Sequence, residues 1–118
     1  MSVTATDRGK AAEQHARQHL QAHGLELLRC NYHSRYGEID LVMRDRDSIV
    51  FVEVRYRRQL GFGSAAESVD RRKQARLIAC AQHYLQTHPE CARQPCRFDV
   101  VTLGAGARLQ WIRNAFSA

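Results

Sequence analysis

The chain lacks most of what would make it a membrane, fibrous or disulfide-stapled protein. Its apolar runs are short. Ile49 to Val52 is cut off at once by Glu53, whereas a membrane helix needs roughly 20 apolar residues. No basic-plus-apolar export signal opens the sequence, so a cytoplasmic location is expected. There are only two prolines, both between residues 88 and 95, and no proline-rich linker, internal repeat or low-complexity tract. One domain over residues 1–118 is therefore expected. Cys30, Cys80, Cys91 and Cys96 show no paired spacing of the kind a structural zinc site uses, and in a reducing compartment they are free thiols. Lysine is nearly missing: Lys10 and Lys73 stand among sixteen arginines.

What the chain does have is positive charge in one place. The net charge is +6, and between Arg55 and Arg76 seven basic residues face only Glu67 and Asp70. Such a stretch is either a solvated face or the footprint of a polyanion partner. Its position directly after Glu53 favours nucleic acid.

Periodicity lays out the elements. A helix is predicted over 7–23, with Asp7 as cap, Ala12, Ala16 and Leu20 as its apolar stripe, and Gly24 as its stop. Strands are predicted over 25–33, 38–44 and 49–57, with Asp45 to Ser48 as the turn between the last two. Alternation puts Ile39, Leu41 and Met43 on one face and Glu38, Asp40 and Val42 on the other. In the next strand Val50, Val52, Val54 and Tyr56 oppose Ile49, Phe51, Glu53, Arg55 and Arg57. Gly61 to Ser64 reads as a mobile loop, Ser68 as the cap of a helix over 69–87, and 88–95 as a loop. Strands over 97–103 and 108–113 close the chain, joined by Gly104-Ala105-Gly106. Helix, three strands, helix, two strands is the signature of an α/β or α+β sandwich.

Asp40 and Glu53 are charged residues inside strand-like runs, where burial is costly without a partner. If their strands form a hairpin, one register lets the two acids share a cation, with the Val54 carbonyl as a third oxygen. Hard divalent cations take such ligands and activate water toward phosphorus. The competing reading makes Asp40 a turn residue and pairs Glu53 with Arg55 or Arg57. Spacing alone favours this second reading.

Gly37-Glu38-Ile39-Asp40 and Phe51-Val52-Glu53-Val54-Arg55 resemble the Asp…Glu-x-Lys signature of the PD-(D/E)xK nuclease superfamily. More closely, the chain is similar to the YraN-type endonucleases, a bacterial family akin to archaeal Holliday-junction resolvases. The likeness runs nearly end to end, through Gly9-Lys10-Ala11-Ala12-Glu13, Cys30-Asn31-Tyr32, Lys73, Arg97-Phe98-Asp99-Val100-Val101 and Asn114-Ala115-Phe116. It implies a restriction-endonuclease-like mixed five-stranded sheet flanked by helices. It also implies Mg²⁺ or Mn²⁺ on Asp40 and Glu53, with Glu13 as an additional acid and Glu38 assisting. The implied activity is endonucleolytic cleavage of DNA, branched or distorted duplexes included. A homodimer follows from the resolvase analogy alone.

Two positions depart from the family pattern. Ala12 replaces a glycine. Arg55 stands where lysine is expected, and arginine keeps its charge in proteins. Lys73 precedes Leu77 by one turn on the stripe of Cys80 and Tyr84, so it is expected to point at the sheet and to supply the missing lysine. The alternative is that it snorkels into solvent. Arg55 and Lys73 are thus the catalytic cations expected beside Asp40 and Glu53, and Arg57, Arg58, Arg71, Arg72 and Arg76 the DNA-backbone contacts. Arg55 also supports a rival, a non-catalytic nucleic-acid-binding protein on a nuclease scaffold; a second rival is a module that recruits other repair factors. The repeat His15, His19, His23 is read as an exposed face rather than a metal site. Trp111 is read as core, Arg97 with Asp99 as an internal brace, and Tyr36 and Phe62 as open candidates for stacking on unpaired bases.

Overall fold

The computed structural model describes residues 5–57, 69–104 and 108–118; the side chains of residues 5–8 and 57 are not described. Helix α1 (Ala5–Ala22) is followed by strands β1 (Glu26–Ser34), β2 (Gly37–Asp45) and β3 (Ser48–Arg57). Then come helix α2 (Arg71–Thr87), the one-turn helix α3 (Pro89–Ala92), β4 (Cys96–Gly104) and β5 (Leu109–Phe116). The strands form one sheet in the order β1-β2-β3-β4-β5. β3 and β4 are parallel and the other neighbours antiparallel. A parallel pair needs a crossover, and α2 with α3 lies in that connection. The mixed five-stranded α/β sheet and its element order agree with the sequence reading.

The sheet is packed on both sides. Ala16 and Leu20 of α1 pack with Leu41, Met43, Val50, Val52 and Val101. Leu77, Cys80, Ala81 and Tyr84 of α2 pack with Tyr32, Ile39, Val42, Phe51 and Phe98. The stop of α1 is as expected. Gly24 has φ 94, its N–H donates to the Gln21 carbonyl, and Leu25 N–H donates to the Leu20 carbonyl. That double bond after a left-handed glycine is a Schellman ending.

Four expectations need correction. Asp7 lies inside α1, which starts at Ala5, so it is no cap. The cap of α2 is Asp70, whose side chain accepts from Lys73 N–H at 2.8 Å. Ser68, the expected cap, lies outside the described residues. The 88–95 loop contains the helical turn α3, opened by Pro89 in the first-turn position that proline favours. The fourth correction concerns β2. Ile39 joins the α2 layer while Leu41 and Met43 join the α1 layer, so the three do not share a face. Cys30 pairs with Leu41 and Tyr32 with Ile39, which sets Asn31 opposite Asp40, but that pair drops out of the ladder. Asn31 has φ 52, a left-handed conformation in which asparagine is enriched. The strand phase reverses there. The expected loop Gly61–Ser64, Phe62, Arg58 and the turn residues Ala105 and Gly106 lie outside the described residues. Among the described residues no helix is long and apolar enough to cross a membrane.

Candidate metal centre

Asp40 sits where β2 leaves β3. The hydrogen-bonded register between them runs from Asp45↔Ser48 to Leu41↔Val52 and stops. β3 continues to Arg57 paired with β4 alone. Into the opening Asp40 turns its carboxylate, and Oδ2 accepts from Val54 N–H at 2.8 Å. Val54 thus holds Asp40 through its amide.

Three acids converge here. Glu13 reaches in from α1 beside buried Ala12 and Ala16, whose small side chains let the helix lie close to the sheet. One carboxylate oxygen each from Glu13, Glu38 and Asp40 lies within 4.8 Å of the others. This is the one His/Cys/Asp/Glu grouping of metal-site geometry among the described residues. With its amide nitrogen turned to the acids, Asn31 donates to Glu38 Oε1 at 3.0 Å and Glu13 Oε2 at 3.1 Å. The same left-handed residue that reverses the strand phase therefore clamps two of the three acids.

Glu53 arrives from the other layer. It is 6% exposed and follows Phe51 on the α2 side. Its carboxyl meets that of Asp40, so Asp40 is the hinge between acids supplied from both faces. Lys73 Nζ lies 3.4 Å from Glu53 Oε2. The contact is an ion pair without hydrogen-bond alignment, and Oε2 has no hydrogen-bond partner. Arg55 adds positive charge nearby, and its own Nε is buried without a partner.

The charges are unbalanced. Burial first, then the Asp40 and Glu38 charges, push the Glu13 carboxyl up to about 7. Burial, then the hydrogen bond and charge of Asp40, push Glu53 up to about 8 against the opposing pull of Lys73 and Arg55. Like charges that cannot all ionise are the expected result when carboxylates share a site. A hard divalent cation relieves both causes at once, and the all-oxygen donor set suits one.

The structure brings together Asp40, Glu53, Glu13 and Lys73, with Arg55 beside them. It gives Glu38 a place in the compact triple that Glu53 does not share. Sequence reasoning missed Asn31; asparagine in the middle of a strand run, ready for positive φ, was the available signal. Arg71, Arg72 and Arg76 are exposed on α2 and make no salt bridge among the described residues. Arg57 ends β3, and Arg58 lies outside the described residues. His19 and His23 stack edge-on against Trp111. Trp111 is half-buried, and Arg97 and Asp99 are hydrogen-bonded to each other. All four cysteines are free. Tyr36 is exposed at the β1–β2 turn, with the Arg35 guanidinium 4.9 Å from its ring centre.

Comparison with known proteins adds a family. The family model described as uncharacterised protein family UPF0102 matches residues 12–103. A UPF0102 protein of Nitrosococcus oceani is 56% identical over 117 residues, covering 97% of this chain and 94% of that protein. One of Pseudomonas entomophila is 54% identical over 112 residues, covering 92% and 91%. One of Xylella fastidiosa is 58% identical over 112 residues, covering 93% and 92%. With the family model spanning most of the chain and such relatives matching nearly their whole length, the chain belongs to UPF0102, the YraN family.

Proposed function

We propose that this protein is a divalent-metal-dependent endodeoxyribonuclease. One observation carries the reading: Glu13, Glu38 and Asp40 converge within 4.8 Å while buried Glu53 abuts Asp40 with an unpartnered oxygen. Acids gathered with so little compensation stabilise a bound cation better than they stabilise the fold. Asp40, Glu13, Glu38 and Glu53 would hold Mg²⁺ or Mn²⁺, which supplies charge neutralisation at phosphate and a more acidic water.

The chain's own cations flank the acids on the α2 side. Arg55 keeps its charge and stabilises negative charge building on phosphate. Lys73 stands 3.4 Å from Glu53 and brings a compact ammonium charge with three rotatable donors in place of a planar guanidinium. Arg71, Arg72 and Lys73 crowd the first turn of α2, which has no acidic residue. Cations at the positive end of a helix are unfavourable, unless an anion binds there. Arg71, Arg72 and Arg76, with Arg57 and Arg58 preceding them in sequence, suit the DNA backbone. Such contacts give affinity without sequence reading. Branched or distorted duplexes are the substrates this reading favours, and a homodimer would supply a second centre for the other strand.

The rival reading, a non-catalytic nucleic-acid binder, rests on Arg55. A cleavage assay on junction, flap, single-stranded and linear DNA with Mg²⁺ or Mn²⁺ separates the two. The nuclease reading expects metal-dependent nicking that Asp40→Asn and Glu53→Gln abolish. Native protein that binds but never cuts, or cutting that survives both substitutions, overturns it.

A further inference from the structure

A groove of about 280 Å³ opens between α1 and β1 directly beside the acids. Lys10, Glu13, Gln14 and Arg17 line it from α1, and Cys30 and Asn31 from β1. The spacing 10, 13, 14, 17 puts the four helical residues on one face. Glu13 turns toward Asn31 and Asp40, leaving its helical neighbours without an acid. Among the described residues neither Lys10 nor Arg17 makes a salt bridge. Arg17 Nε is buried without a hydrogen-bond partner, which a merely solvated helix face would not produce. The groove is therefore a cationic slot that shares two wall residues, Glu13 and Asn31, with the acid cluster.

We infer that this slot carries the sugar–phosphate backbone of the strand being cut, adjacent to the scissile phosphate, with Lys10 and Arg17 on phosphate oxygens. The inference rests on the nuclease reading and gives the DNA a path. The strand enters along α1, passes the acids, and leaves over the basic first turn of α2. The size of the slot lies at the low end for ligand sites. It takes one nucleotide unit of a single strand rather than the width of a duplex.

Two native thiols test this in the full-length protein. Cys30 and Cys96 are exposed and Cys80 and Cys91 buried. Cys30 lines the slot, and Cys96 pairs with Ile49 at the far end of β3. A fluorescein-labelled single-stranded oligonucleotide, with Ca²⁺ present, reports binding by anisotropy, and N-ethylmaleimide labelling of each thiol is followed by mass spectrometry. With oligonucleotide at about ten times its Kd, labelling of Cys30 slows about tenfold while that of Cys96 is unchanged. The Lys10→Ala/Arg17→Ala double variant binds roughly tenfold more weakly, and its log K against log salt slope falls by about two. Cys30 labelling that is unaffected by bound oligonucleotide, or a double variant with native affinity and slope, overturns the slot and leaves the nuclease reading standing. No anisotropy change on any DNA overturns both.

Discussion

The adjacent strands β3 and β4 each bury a carboxylate, and they treat it oppositely. On β4, in register with Val52, Asp99 is fully buried and its oxygens are surrounded by donors. Arg97 Nε donates at 3.0 Å, Trp111 Nε1 at 3.0 Å and Asn114 N–H at 2.9 Å. Arg97 also reaches Asp45 at 3.0 Å. On β3, in register with Val100, Glu53 faces another acid, and one of its oxygens has no hydrogen bond. A buried charge must be paired to be tolerated. Asp99 is paired by the fold itself, so it is structure. Glu53 and its neighbours are left short of positive charge, so they are a site.

The contrast can be broken first where the effect is largest. Asp40→Asn or Glu53→Gln should lower metal-dependent cleavage by roughly 10³-fold or more, about 4 kcal/mol on the barrier, while the thermal midpoint holds or rises. Asp99→Ala should do the reverse. It leaves Arg97 with Asp45 alone and the Trp111 and Asn114 N–H groups without their acceptor, costs about 3 to 5 kcal/mol of stability, measurable by urea melts, and spares any activity of the folded fraction. Lys73→Met and Lys73→Arg should both reduce cleavage by about 10²-fold. Full activity in Lys73→Arg would show that only its charge matters.

The remaining contrast is in pH. The Glu13 and Glu53 carboxyls are raised from 4.5 to about 7 and about 8, so the metal-free fold favours their protonated forms. Their contribution to stability is complete below the unfolded value and is lost as pH climbs through the folded values. The metal-free thermal midpoint should therefore fall between about pH 5 and about pH 9, and saturating Mn²⁺ should flatten the fall. Glu13→Gln combined with Glu53→Gln should remove most of it.

Much of this was legible in the chain. Alternation in β3 placed Val50, Val52 and Val54 in one layer and Glu53 with Phe51 in the other. The stripe from Lys73 through Leu77, Cys80 and Tyr84 aimed the lysine at the sheet, where it meets Glu53. The layout of β2 was not legible, because period-two reading assumes ordinary strand dihedrals. The left-handed turn of Asn31 reverses the phase, and with it the company that Ile39 and Leu41 keep. The helix starts were misread for a different reason. Asp7, Ser68 and Asp70 all have cap-competent side chains, and only the backbone path decides which one is used. The α1 groove was hidden because it forms where α1 folds back along β1, and which helical side chains face that strand is set by the packing rather than by the pattern.

The central claim is that the acids at the opened end of β2 form a cation site. Calorimetric titration of Mn²⁺ into the native protein and into Asp40→Asn tests it without reference to any substrate. The account predicts saturable binding to the native chain, tighter as pH rises past the Glu13 and Glu53 values, and loss of that binding in Asp40→Asn. Native protein that takes up no metal, or a variant that binds it equally well, would contradict the account.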